Sequence, residues 1–158
     1  MNSDFHQRFM EQALAEAQLA FEKGEVPVGA VVVFENRVIG RGHNQTESLH
    51  DATAHAEMIA LSAAFIHVGD WRLERCALVS TLEPCPMCAG AAMLSRIQTI
   101  VYGAADPRFG ACGSILDIPS EPRFNHQVEV VSGVLADEVA ELMQRFFRQV
   151  RETKESVN

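Results

Sequence analysis

The sequence predicts an α/β fold: a three-layer α/β/α arrangement with a five-stranded mixed sheet and helices on both faces. Three observations predict it. Four stretches repeat apolar residues at helical spacing. Five short runs are apolar or β-branched and bounded by turn residues. The two kinds of segment follow one another as α-β-β-α-β-α-β-β-α, and covering a sheet on both faces is the natural way to bury such a set.

The first helix is expected over residues 3–22, where Phe9, Met10, Ala13, Leu14, Ala17, Ala20 and Phe21 share a face. Ser3 is a candidate cap, Asp4 suits the first turn, and Gly24 suits a left-handed stop. Residues 28–35 and 37–43 read as two strands joined at Asn36, hence an antiparallel hairpin. Gly40 and Gly42 weaken the second strand and permit close approach of another backbone. Residues 44–51 are polar and read as a loop. Asp51 or Thr53 is expected to cap a helix running to about residue 66, closed by Gly69-Asp70. Residues 76–81 form a short buried strand. Pro84 and Pro86 bracket the start of a helix reaching about residue 95, since proline is tolerated in a first turn. Residues 97–102 are a fourth strand. Residues 103–126 are rich in Gly, Pro, Asp and Arg and read as a long functional loop. Residues 128–132 are the fifth strand. Residues 136–154 are a last amphipathic helix, with Val139, Leu142, Met143, Phe146, Phe147 and Val150 on its apolar face.

A chain of 158 residues is expected to form one domain over 1–158 and to bury a core without disulfide or metal staples. Its 47% hydrophobic and 22% charged content is that of a globular protein. No apolar run reaches membrane-spanning length, and the N-terminal residues lack a secretion-signal pattern, so the expected compartment is the cytoplasm. In that setting a Cys-x-x-Cys is metal-binding or redox-active rather than a disulfide. The net charge of −8 disfavours a nucleic-acid partner unless a local basic cluster meets it. Arg145, Arg148, Arg151 and Lys154 recur every third residue and form the best such stripe.

The chemistry concentrates between Thr53 and Cys88. Cys85 and Cys88 are spaced i, i+3 at a helix start, where free N–H groups and the dipole favour thiolate. Thiolates and a neutral imidazole are good zinc ligands, and three ligands leave a fourth position for water, the pattern of a catalytic zinc. Zinc brings the pKa of such a water toward neutrality. His55 is the imidazole candidate. Glu57 cannot face His55 from mid-helix, so the two converge only at a helix end; there Glu57 can move a proton without binding the metal. Cys76 reads as a core thiol. Cys112 is either a bystander or a fourth ligand that would close the site. A lone Cys-x-x-Cys is a weak signal, compatible with half a zinc ribbon or a redox pair; no second pair exists, and neither reading uses His55 and Glu57. The set His-x-Glu followed by Pro-Cys-x-x-Cys is the established signature of zinc nucleobase deaminases, and the assignment rests on that pattern rather than on spacing alone.

With those residues in view, the chain resembles the cytidine deaminase-like superfamily and, within it, the bacterial tRNA-specific adenosine deaminases. The likeness extends over Glu25-Val26-Pro27-Val28-Gly29-Ala30-Val31, Asn44, His50-Asp51, Thr53-Ala54-His55-Ala56-Glu57 and Thr81-Leu82-Glu83-Pro84-Cys85. It continues through Cys88-Ala89-Gly90-Ala91, Ser95-Arg96-Ile97, Gly103-Ala104 with Asp106, Gly110-Ala111, Gly113-Ser114, Asn125-His126 and Leu135-Ala136-Asp137-Glu138. The resemblance implies hydrolytic conversion of a wobble adenosine to inosine, one zinc per subunit on His55, Cys85 and Cys88, and proton transfer by Glu57. It implies base and ribose contacts from Asn44, the Val28 region and the Ala56 backbone, and a pocket wall from Leu82-Glu83-Pro84. It implies contacts of Asp106 and Arg108 with neighbouring nucleotides, and of Phe146, Phe147 and Arg148 with the anticodon stem-loop. It also implies a homodimer in which the tRNA loop touches both subunits. The C-terminal end departs from the strongly basic tail of many family members: Glu152 and Glu155 alternate with Lys154. Two other readings stand beside this one: deamination of a free nucleobase or nucleoside (guanine, cytosine, cytidine), which suits the acidic charge, and a non-catalytic zinc-stabilised binding module, which Glu57 opposes.

Overall fold

The computed structural model describes residues 2–157. Helix α1 spans Ser3–Glu22, and its buried face is Phe9, Met10, Ala13, Ala17 and Ala20. The cap is Asn2 rather than Ser3: the Asn2 side chain accepts from the Phe5 N–H. Gly24 takes a left-handed φ of 75° just beyond the helix. Strands β1 (Gly29–Phe34) and β2 (Arg37–His43) form the expected hairpin. Its two-residue turn, Glu35-Asn36, has both φ angles positive, as a tight hairpin turn requires.

The expected loop over 44–51 contains one helical turn, α2 (Thr46–Leu49). Helix α3 (Ala56–Val68) starts later than expected, because Asp51 spends its carboxylate on the N–H and hydroxyl of Thr53 in a turn ahead of the helix. Gly69 ends α3 at φ 74°. Then follow β3 (Ala77–Leu82), α4 (Pro86–Leu94), β4 (Thr99–Ala104), β5 (Glu129–Val131) and α5 (Ala136–Val157).

The sheet order is β2-β1-β3-β4-β5; β1 runs antiparallel to both neighbours, and β3, β4 and β5 are parallel. Alternation along β1 makes the layers. Ala30 and Val32 pack with Ala56, Ala60 and Leu61 of α3 and Ala89 and Ala92 of α4. Val31 and Val33 pack with Phe9, Met10 and Ala13 of α1. Helix α5 lies beside α1, where Phe146 meets Phe21 edge to face with ring centroids 5.9 Å apart. Among the described residues no helix is long and apolar enough to cross a membrane.

One end of this sheet matters most. The start of β1 and the ends of β2, β3 and β4 meet there. Asn44 donates its N–H to Val28, Gly29 to the Thr81 hydroxyl, and Glu83 to Ala104. The N-termini of α3 and α4 open onto the same edge.

Candidate active site

Two helix starts build the centre. His55 is the N-cap residue of α3 and Cys85 the N-cap residue of α4; both have extended backbones and neither caps with its side chain. Their side chains are thus free to point outward, and Cys88 follows in the first turn of α4. The His55 Nδ1 lies 3.5 Å from the sulfur of Cys85 and 3.5 Å from that of Cys88. One nitrogen and two sulfurs lie within 4.8 Å of one another, a set that could hold a metal ion. The donor types suit zinc: borderline-soft, four-coordinate, at home with thiolate and imidazole. Cys112, although buried, is not in this group. Cys76 is buried at the far end of β3.

Electrostatics favour the same reading. Hydrogen bonding from Cys88 is the chief reason the Cys85 thiol is pushed down to about 4, with the His55 ring assisting. Cys88, as the donor, is held up well above the usual thiol range. The pair therefore shares one negative charge, and His55 is raised chiefly by its hydrogen bond to Cys85. A bound cation would displace the remaining thiol proton.

Glu57 stands in the first turn of α3 and is only 4% exposed. Burial pushes its carboxyl up to about 7. A carboxyl poised near neutrality beside a metal-capable cluster can both take and return a proton.

The other residues singled out from sequence divide by position. Val28, Ala56 and Pro84 are buried, Leu82 is half-buried, and all lie on segments meeting at this edge. Asn44 is buried; its amide donates to the Val26 carbonyl at 3.3 Å and accepts from the Thr46 N–H at 3.3 Å. It thereby shapes the loop as well as facing the edge. The Asp106 carboxylate accepts from the N–H groups of Arg108 and Phe109, forming a turn that leaves Arg108 exposed. On α5 the two phenylalanines separate: Phe146 is buried and Phe147 is 40% exposed. Arg148, Arg151 and Lys154 are exposed, whereas Arg145 lies over the Phe21 ring and donates to Gln18 of α1.

Two buried carboxylates hold partners that the sequence did not reveal: Glu25 had no role beyond its matched segment, and Glu83 was expected only as part of the pocket wall. Glu25 accepts from the N–H groups of Glu47 and Ser48 and from the Ser48 hydroxyl, which orders α2. Glu83 accepts from the N–H groups of Asp106, Cys112 and Ser114 and from the Ser114 hydroxyl. Burial pushes both carboxyls up, but these hydrogen bonds outweigh it, and both lie below the usual range. A signal existed: each is a lone acid beside an apolar strand and one or two residues before a proline, where an unpaired charge would be costly to bury.

Residues 4–151 match the model of the MafB19-like deaminase family. The tRNA-specific adenosine deaminase of Bacillus subtilis (strain 168) is 49% identical over 148 residues, covering 94% of this chain and 92% of the relative. That of Aquifex aeolicus (strain VF5) is 46% identical over 143 residues, covering 90% and 94%. A solved structure from work on A-to-I editing by tRNA:A34 deaminases at the wobble position superposes with a TM-score of 0.82 at 46% identity, covering 85% of this chain and 98% of that one. A guanine deaminase from Nitrosomonas europaea superposes at 0.73 with 25% identity, covering 89% and 83%. The chain belongs to the MafB19-like deaminase family and, within it, to the group of the tRNA-specific adenosine deaminases.

Proposed function

We propose that this protein is a single-domain, zinc-dependent deaminase that converts adenosine to inosine at the wobble position of a tRNA anticodon. The observation that carries the chemistry is the His55–Cys85–Cys88 cluster at two helix starts with a buried Glu57 beside it. Membership of the tRNA-specific group carries the substrate.

His55, Cys85 and Cys88 would hold the zinc, which supplies Lewis acidity and an activated water at neutral pH. Glu57 takes a proton as water adds to C6 of the adenine ring. It gives that proton to the adjoining ring nitrogen, then takes the second proton from the new C6 hydroxyl and gives it to the amine, so that the C6–N bond breaks, ammonia leaves and a carbonyl remains. Its high pKa matches this two-way traffic. Asn44, Val28, the Ala56 backbone, Leu82 and Pro84 would enclose the flipped base and its ribose. Asp106 and Arg108 would meet the neighbouring nucleotides. Phe147 and Arg148 would meet the anticodon loop, with Arg151 and Lys154 adding phosphate contacts to a chain of net charge −8. A homodimer acting on cytoplasmic tRNA completes the reading.

The test compares an adenosine-containing anticodon stem-loop with free guanine, cytosine and cytidine. Inosine in the RNA alone supports the proposal. Ammonia released only from a free base would replace it with the small-molecule reading, which the likeness to a guanine deaminase keeps in view.

A further inference from the structure

We propose that Glu83 is a positioning residue for substrate selection: its buried carboxylate ties the loop bearing Asp106 and Arg108 to the turn that carries Cys85. This rests on the functional reading above.

The geometry is unusually complete for one side chain. Glu83 is 2% exposed. Its Oε1 accepts from the Asp106 N–H at 3.1 Å and from the Ser114 hydroxyl. Its Oε2 accepts from the Cys112 N–H at 3.0 Å and the Ser114 N–H at 3.2 Å. One carboxylate thus grips both ends of a nine-residue loop, and charge-assisted bonds of this kind are the strong ones. Two backbone bonds run alongside, from Glu83 N–H to Ala104 and from Ala111 N–H to Pro84.

Gly110 closes the arrangement. A Cβ there would fall 2.4 Å from the Glu83 carboxyl carbon and 2.5 Å from the Asp106 carbonyl oxygen. The loop therefore wraps onto the carboxylate with no room for a side chain between them. Cys85 follows Glu83 by two residues on the same turn. The segment that places a metal-capable sulfur and the segment that presents Asp106 and Arg108 to the substrate are in this way one mechanical unit. The loop's position relative to the reacting base thus depends on a carboxylate that grips the loop and lies outside the metal-capable group.

A glutamine at position 83 keeps one acceptor but turns an amide toward N–H donors, so at least one loop amide loses its partner. An alanine at position 110 keeps the carboxylate and displaces the loop from it. The two variants attack one contact from opposite sides.

The experiment uses zinc-loaded wild type, Glu83→Gln and Gly110→Ala. Each is assayed on an anticodon stem-loop carrying adenosine and on the same RNA with the two flanking nucleotides exchanged. Both variants are expected to raise KM for the first RNA at least tenfold, hold kcat within threefold, and lose preference between the two RNAs. Zinc content should stay unchanged. Amides of Asp106, Cys112 and Ser114 should exchange with solvent at least tenfold faster, and those of β3 should not. RNA turnover with unchanged KM and preference, or a fall in kcat alone, overturns the assignment. Should Glu83→Gln fail to fold, Gly110→Ala decides by the same criteria. Wild type that acts only on a free base sinks the functional reading and the selection role with it, an outcome distinct from RNA turnover with unaltered selectivity.

Discussion

Gly42 lies directly against Ala56: a Cβ built on the glycine would fall 2.4 Å from the Ala56 carbonyl oxygen. Gly40 stands likewise beneath Ala60, at 2.2 Å from its carbonyl oxygen. Helix α3 therefore rests on the bare backbone of β2, and this contact sets the height at which His55 and Glu57 emerge from the helix start.

Gly42→Ala should push the first turn of α3 away from the sheet. The expected loss is about 1–3 kcal/mol, the usual range for overpacking a core. Because His55 adjoins the displaced turn, zinc affinity should fall together with stability. Denaturant melts and a competitive chelator titration would check both; a variant that melts like wild type and holds zinc equally well would show that α3 is not seated by this contact.

Glu57→Gln should retain zinc, because Glu57 lies outside the His55–Cys85–Cys88 group. Turnover should fall roughly 100- to 10,000-fold, the range for removal of a general acid–base group. Single-turnover kinetics on the stem-loop together with metal analysis give the two readouts. Activity near wild type would remove Glu57 from proton transfer.

Glu25 links stability to pH. Its carboxyl ionises more readily in the folded chain than the ordinary 4.5, since hydrogen bonds from Ser48 and Glu47 outweigh burial. Its contribution is therefore complete above pH 4.5 and is lost as pH falls through the lower folded value. At neutral pH Glu25→Gln should cost about 1–3 kcal/mol, since an amide then faces the Ser48 donors. The gap between the two proteins should narrow steadily in acid. A gap independent of pH down to the acid transition would show that the charge of Glu25 is not what orders α2.

RNA binding by so acidic a chain should be local and salt-sensitive. Plots of log affinity against log salt should be steep, with about 0.9 per phosphate neutralised. Arg148→Ala and Arg151→Ala should each lower the slope by about 1, with little effect on sequence preference. Arg145→Ala should act mainly on stability, because that side chain packs on Phe21 and Gln18. Salt-insensitive binding would contradict phosphate contact by this helix face.

Much of this architecture was legible in the chain. Helix α1 and strand β2 fall on the expected residues, because periodicity and turn chemistry are local properties. The metal-capable group consists of the three residues its motif implied. What was missed depended on which of several possible partners, near or distant, each polar group takes. The start of α3 moved to Ala56 because Asp51 was occupied by Thr53 and His55 was left extended. The helical turn at Thr46–Leu49 was missed because its N–H groups are satisfied by Glu25, more than twenty residues away in sequence.

By itself, the sequence pointed to the reaction class: a His-x-Glu and a Pro-Cys-x-x-Cys name an imidazole, a carboxylate and two thiols, the signature of zinc nucleobase deaminases. It also determined the element order, since each element is patterned locally. Only the tertiary structure decided which ends of those elements meet. The order β2-β1-β3-β4-β5 brings Val28, Asn44, Leu82 and Ala104 to one edge, and two helix starts point His55 and Cys85 at each other across it. The roles of Glu25 and Glu83 were decided there too. A buried carboxylate takes its function from the donors that surround it, and those donors are assembled by folding.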